Sequence, residues 1–177
     1  NFFLGKSKNI IYCKNFRYEN WWRKKFYKKI PNNKFFNVLV ATRPPYREYL
    51  SKESYEKIIL SIIKAASQIR KSKIVFKIHP HSKELVYLNS ILKKSRFNNW
   101  EINNNHAFLL ANRADICITM ITSTCLDFLS LKKPTLEFYF SNEDANEISV
   151  KFPHYAFNKK TKKWVSIFEY LGFLKTY

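Results

Sequence analysis

The sequence predicts an α/β fold, a doubly wound parallel sheet of about five strands with helices on both faces. Three observations carry this expectation. From residue 35 onward, short β-branched or apolar runs alternate with longer stretches of helical period. The 177 residues suit one compact domain, because a chain of this size buries roughly 70% of its unfolded surface. Hydrophobic residues at 46% and aromatics at 18% supply the apolar surface that such a core needs.

The elements follow in order. FFNVLVAT (35 to 42) reads as the first strand and SKESYEKIILSIIKAASQIRKS (51 to 72) as the helix after it. Ser51 opens that helix as its N-cap, with Ser54 where a full capping box has Glu. Ile58, Ile59, Ile62, Ile63 and Ala66 form its inward stripe. KIVFKI (73 to 78) is the second strand, and SKELVYLNSILKKS (82 to 95) the second helix, with Leu85, Leu88 and Leu92 on one face. NWEIN (99 to 103) makes a short third strand and HAFLLANRA (106 to 114) a brief helix. DICITMI (115 to 121), STCLDFLSLKK (123 to 133) and PTLEFYF (134 to 140) then give strand, helix, strand. In the basic, aromatic segment 1 to 34, NWWRKKFYKKI (20 to 30) reads as a surface helix. TKKWVSIFEYLGFL (161 to 174) reads as a closing helix packed on the sheet. The expected division is therefore a linker or remnant of a further domain over 1 to 34, since the first residue is Asn rather than Met, and one sheet domain over 35 to 177.

The formal charge of +19 arises from 32 Lys and Arg against 13 Asp and Glu, which raises nucleic acid, anionic membrane or a phosphate-bearing ligand as partners. A chain rich in Lys, Asn, Ile, Phe and Tyr with only 2 Gly also fits AT-rich coding with no selection for a basic surface. Cys13, Cys117 and Cys125 form no CxxC pair and have no fitting histidine spacing, so neither a disulfide framework nor a zinc site is indicated. Cys117 lies in an apolar strand and reads as a buried thiol, and a reducing compartment fits. No apolar stretch reaches the ~18 residues that span a bilayer, and NFFLGKSKNIIYCK has no signal-peptide core.

In an open parallel sheet, ligands bind beyond the carboxyl ends of the strands, where strand order switches. The segments leaving those ends are Thr42-Arg43-Pro44-Pro45, His79-Pro80-His81, Asn104-Asn105-His106, Thr122-Ser123-Thr124 and Ser141-Asn142. The first four lead into helix starts, where free N–H groups favour an anion. Thr122, Ser123 and Thr124 could donate to phosphate oxygens, while Thr124 with Asp127 is an ordinary capping pattern, with Asp in place of Glu, and taken alone the segment favours the cap. Asp115 opens its strand at the opposite edge and reads as a solvated or structural acid. Neither Gly5 nor Gly172 lies in a strand-to-helix turn, so no Walker or dinucleotide fingerprint is present. Pro80 restricts His79 to an extended conformation and holds its imidazole in place, which suits either a phosphate contact or a simple turn. His81 precedes Ser82 at the start of the next helix, where a capping role fits.

VFKIHPHS, followed some forty residues later by ANRADICITMITSTCLDFLSLKKPTLEFY, resembles the C-terminal, donor-binding half of GT-B glycosyltransferases of bacterial surface and capsular polysaccharide synthesis. Kdo- and sialyl-type transferases and CDP-glycerol polymer transferases are the similar families, and nucleotide-sugar 2-epimerases share the fold. The elements that carry the resemblance are His79-Pro80, Ala114-Asp115, Ser123-Thr124 and Lys133-Pro134, over roughly residues 36 to 140.

The resemblance implies a Rossmann-like nucleotide-sugar-binding domain, one half of a GT-B architecture. It implies that His79 stabilises the departing nucleotide phosphate, and that Arg43, Pro80, Thr122, Ser123 and Thr124 line the donor site. Asp127 or Glu137 would face ribose or sugar hydroxyls, and Lys77 could add charge or lie on a covered face. It also implies a CMP-, CDP- or UDP-linked donor, a glycan or lipid-linked acceptor, metal-independent transfer, and a cytoplasmic setting at the inner face of the plasma membrane. Such enzymes carry the acceptor site and the usual base in an N-terminal half, so no general base is named here. The glycine-containing turns of many 2-epimerases are absent. A second reading is a basic module that uses Trp21, Trp22, Arg23, Lys24, Lys25, Lys28 and Lys29 on anionic membrane or nucleic acid. No RNA- or DNA-binding motif supports the nucleic-acid version.

Overall fold

Five parallel strands in the order β3-β2-β1-β4-β5 form the centre of the protein. The computed structural model describes residues 18–26, 34–45, 50–79, 84–120, 122–138, 155–158, 160 and 163–166. In chain order the elements are α1 (Asn20–Phe26), β1 (Phe36–Ala41), α2 (Lys52–Ser67), β2 (Ser72–Lys77), α3 (Glu84–Lys94) and β3 (Trp100–Ile102). They continue with α4 (Ala107–Arg113), β4 (Ile116–Met120), α5 (Thr124–Ser130), β5 (Thr135–Phe138), β6 (Tyr155–Asn158) and β7 (Lys163–Ser166). The alternation read from the sequence is thus realised as an α/β, Rossmann-like sheet with helices on both faces.

Two cores flank the sheet. Ile58, Ile59, Ile62, Ile63 and Ala66 of α2 and Leu88, Ile91 and Leu92 of α3 pack on Val38, Val40, Ile74, Phe76, Ile118 and Met120. On the other face, α4 and Phe128 of α5 cover Leu39, Ala41 and Cys117. Strand alternation divides these sets, since Ser72, Ile74 and Phe76 point to one face and Lys73, Val75 and Lys77 to the other. Burying a side chain such as Ile59 completely contributes about 1.5 to 3 kcal/mol. At the start of α2, Ser51 Oγ accepts the Ser54 N–H at 3.1 Å, as the capping pattern predicts.

Three expectations are corrected. Leu85 does not join the inward stripe of α3 but is 43% exposed, and Glu84 takes the buried place instead. Both registers lie on a helical face with Leu88 and Leu92, and the one that buries Glu84 is held by hydrogen bonds to its carboxylate. The helix expected over 123 to 133 stops at Ser130, because Lys132 adopts φ 57°. The Lys132 and Lys133 N–H groups then close on Leu129 O at 2.9 Å and Phe128 O at 3.1 Å, a Schellman ending. The closing helix expected from 161 is interrupted at its start by β7, which pairs antiparallel with β6. A β-branched and aromatic run such as KWVS favours an extended partner when one is in reach. Residues 167 to 174 of that helix lie outside the described residues.

The amino edge of the sheet explains two of the sequence elements structurally. Asp115 Oδ2 accepts the Asn37 N–H at 2.7 Å, tying the start of β4 to the start of β1. Lys133 Nζ donates to Ala114 O at 2.7 Å and Asn112 O at 3.2 Å, filling carbonyls at the end of α4. Asp115, read as a solvated or structural acid, is exposed and makes this bond between strands.

Candidate functional site

At the opposite, carboxyl edge, strand order reverses between β1 and β4. α2 and α3 leave β1 and β2 on one face, while α4 and α5 flank β4 on the other, so the connections diverge there and open a crevice. Arg43 stands half-buried just past β1, and Thr122, Ser123 and Thr124 stand just past β4. His79 follows β2, one strand beyond β1, and its side chain is exposed. Two inter-strand spacings, about 10 Å, separate the ends of β2 and β4, so side chains from the two can approach one bridging anion. Pro80, His81, Ser141 and Asn142 lie outside the described residues.

The backbone of His79 is held from beneath. Its N–H donates to Glu84 Oε2 at 3.2 Å, and the buried Tyr55 hydroxyl donates to Glu84 Oε1 at 2.7 Å. Glu84 is 1% exposed, so its carboxyl oxygens bond to protein donors away from solvent. Burial first, and then the Glu84 carboxylate, push the Tyr55 phenol far above its ordinary value, and Thr42 pulls the other way. Thr42 is itself buried, and its Oγ1 donates to Lys77 O at 3.3 Å. A polar knot of Thr42, Tyr55 and Glu84 thus sits under the ends of β1 and β2. Sequence reasoning passed over Tyr55 and Glu84. The available signal was their position, since Tyr55 lies three residues before Ile58 and Glu84 four before Leu88, each in line with an apolar stripe.

Past β4, Thr122 rather than Thr124 supplies the cap. Thr122 Oγ1 accepts the Thr124 N–H at 3.4 Å and lies 3.1 Å from Thr124 Oγ1. Ser123 occupies the N-cap position without a side-chain cap bond, and it is exposed. Thr124 is the first residue of the helix rather than its N-cap, and Asp127 is drawn inward to 1% exposure.

Asp127 therefore lies below the rim and not on it, near Lys77, which shares its face of the sheet. Burial lowers the pKa of Lys77, and the charge of Asp127 acts in the opposite direction. Glu137 pairs in register with Thr119, and both influence Cys125, whose thiol is pushed up to about 12 by burial and by Glu137. Asp127, Lys77, Thr119 and Glu137 form a polar layer beneath the crevice, while Arg43, His79, Thr122 and Ser123 edge it. His106 past β3 is a cap, its Nδ1 accepting the Phe108 N–H at 3.3 Å and its ring stacking on Phe108.

Among the described residues no group of three His, Cys, Asp or Glu side chains is placed to hold a metal. No helix among them is long and apolar enough to cross a membrane. No family model, curated protein or solved structure matches this chain.

Proposed function

We propose that this chain binds the nucleotide-activated donor of a glycosyltransferase and presents its phosphate for departure. The observation that carries the reading is the grouping of His79, Arg43, Thr122 and Ser123 on one carboxyl edge, around the point where strand order reverses. An imidazole, a guanidinium and hydroxyls form a donor set suited to phosphate oxygens.

In this reading His79 donates a hydrogen bond to an oxygen of the leaving nucleotide phosphate. Negative charge grows there as the sugar–oxygen bond breaks, and a preplaced donor stabilises that charge by several kcal/mol without metal chemistry. Arg43 adds a fixed positive charge, and the exposed Ser123 hydroxyl, which caps nothing, is available as a further donor. Glu84 sets the direction of the chain at His79. Asp127 and Glu137 support the floor of the crevice. The donor is a CMP-, CDP- or UDP-linked sugar or glycerol, and the acceptor a glycan or lipid-linked glycan at the cytoplasmic face of a membrane.

Isothermal titration with CMP, CDP and UDP tests the reading. One of these nucleotides should bind in the micromolar to millimolar range, and His79→Ala should weaken it about tenfold or more, the loss of one charge-assisted hydrogen bond. Absence of binding by all three to the full chain would refute it.

A further inference from the structure

A second surface lies at the other edge of the sheet. α5 starts at the carboxyl edge and runs back, so its C-terminal turn sits at the amino edge, where α1 packs beside it. Arg23 Nη1 donates to Ser130 O at 2.9 Å and joins the two helices, and the same guanidinium also contacts Asn20 Oδ1. Between them opens a groove of about 440 Å³ lined by Asn20, Arg23, Lys24, Ser130, Leu131 and Lys132. Three of these six residues are cationic and none is acidic. Arg23 Nε is buried, with no acceptor among the described residues. The left-handed turn at Lys132 places its exposed side chain at the groove.

Next to this basic groove stands an exposed indole. Trp21 is 57% accessible, the most exposed large aromatic side chain among the described residues. It meets Trp22 edge to face, with centroids 5.6 Å apart and planes at 84°, and Lys25 Nζ lies 5.8 Å from the centre of the Trp22 ring. Trp22 is thereby engaged within the protein, and Trp21 alone is offered outward. Proteins that track single-stranded nucleic acid present successive aromatic faces to successive bases. One outward indole, with Lys24 and Lys25 three and four residues further along the helix and Lys132 in the adjoining groove, has instead the make-up of an interfacial anchor, with an apolar ring at headgroup depth and cations toward anionic phosphates.

We infer that the α1–α5 surface docks on an anionic phospholipid bilayer, with lipid phosphates in the Arg23–Lys24–Lys132 groove and Trp21 in the interfacial layer. Charge complementarity selects the occupant, since the groove holds three cationic side chains and no acidic one, on a chain that carries +19. The surface lies a full strand length from His79 and Ser123, so docking leaves the crevice open. Lys28 and Lys29, which continue the basic run in sequence, lie outside the described residues. The inference stands independently of the nucleotide reading.

Co-sedimentation of the full chain with vesicles tests it, comparing phosphatidylcholine alone with phosphatidylcholine containing 30% phosphatidylglycerol, a composition chosen to give about the anionic potential at which each basic residue matters. Binding should require the anionic lipid. Lys24→Gln with Lys132→Asn should reduce partitioning about 25-fold, roughly fivefold per charge, and Trp21→Ala should reduce it several-fold further. Asparagine is chosen at Lys132 because it tolerates the left-handed backbone, and unchanged thermal midpoints verify folding. Removing two exposed lysines from the opposite face, Lys64→Gln with Lys93→Gln, should cost far less, and His79→Ala should have no effect on vesicle binding. Equal losses from both lysine pairs would overturn the inference in favour of net charge alone. It would likewise be overturned by full competition from millimolar inorganic phosphate, or by variants that lose a single-stranded oligonucleotide while retaining vesicles.

Discussion

Tyr55 and Glu84, 29 residues apart, are joined by a 2.7 Å hydrogen bond in which the phenol donates to the carboxylate beneath the end of β2. The other carboxylate oxygen takes the His79 N–H, so one buried side chain couples α2 to the backbone of the histidine at the rim. Glu84→Ala removes the acceptor of the buried Tyr55 hydroxyl and of the part-buried His79 N–H and should cost about 2 to 4 kcal/mol. Tyr55→Phe removes the phenol donor from Glu84 Oε1 and should cost about 1 to 3 kcal/mol, while Glu84→Gln should cost less than the alanine variant. Urea unfolding with unchanged slope measures each value.

His79→Ala should behave in the opposite way. Its side chain is exposed and its backbone bond survives the substitution, so the unfolding free energy should stay within about 0.5 kcal/mol of the parent. Nucleotide affinity should fall, and a thermal shift with and without nucleotide reads both quantities on one sample.

Lys133 closes the amino edge by binding the carbonyls of Asn112 and Ala114. Lys133→Met keeps the stem but leaves those carbonyls without their charged donor, and it should destabilise by about 2 kcal/mol. Nucleotide affinity should be unaffected, because this edge lies across the sheet from the crevice. Hydrogen exchange at the α4–β4 junction should rise.

Cys117 and Cys125 are fully buried, and burial pushes both thiols up to about 12 from an ordinary 9.0. In a Cys13→Ser background neither should react with a disulfide reagent at pH 9 until denaturant is added, when both should. Between pH 9 and 12 the unfolded thiols lose protons that the folded ones keep, so the folded state binds more protons and stability falls as pH rises through that window. Below pH 9 this contribution is fully present. Replacing both cysteines by alanine should flatten the decline measured by urea midpoints.

Much of this was legible locally. The periods of two and 3.6 residues are written into short windows, which is why the elements from β1 to β5 and the cap at Ser51 emerged in order. Segments leaving the strand ends could also be named, because parallel strands place all their carboxyl ends on one edge. The inward turn of Asp127 was not legible, because Thr124-x-x-Asp127 reads as a cap. Only the fold brings Lys77 to the same face.

By itself the sequence determined the fold class and which segments leave the strand ends, since both follow from chain order and local period. Tertiary structure alone decided which face of α3 turns inward, where β7 finds its partner, and that strand order reverses between β1 and β4. Each of these depends on contacts between residues distant in the chain. Glu84 shows the reason most clearly: Leu85 is the more apolar neighbour, yet Glu84 is buried because Tyr55 and His79 bring donors to it from other elements.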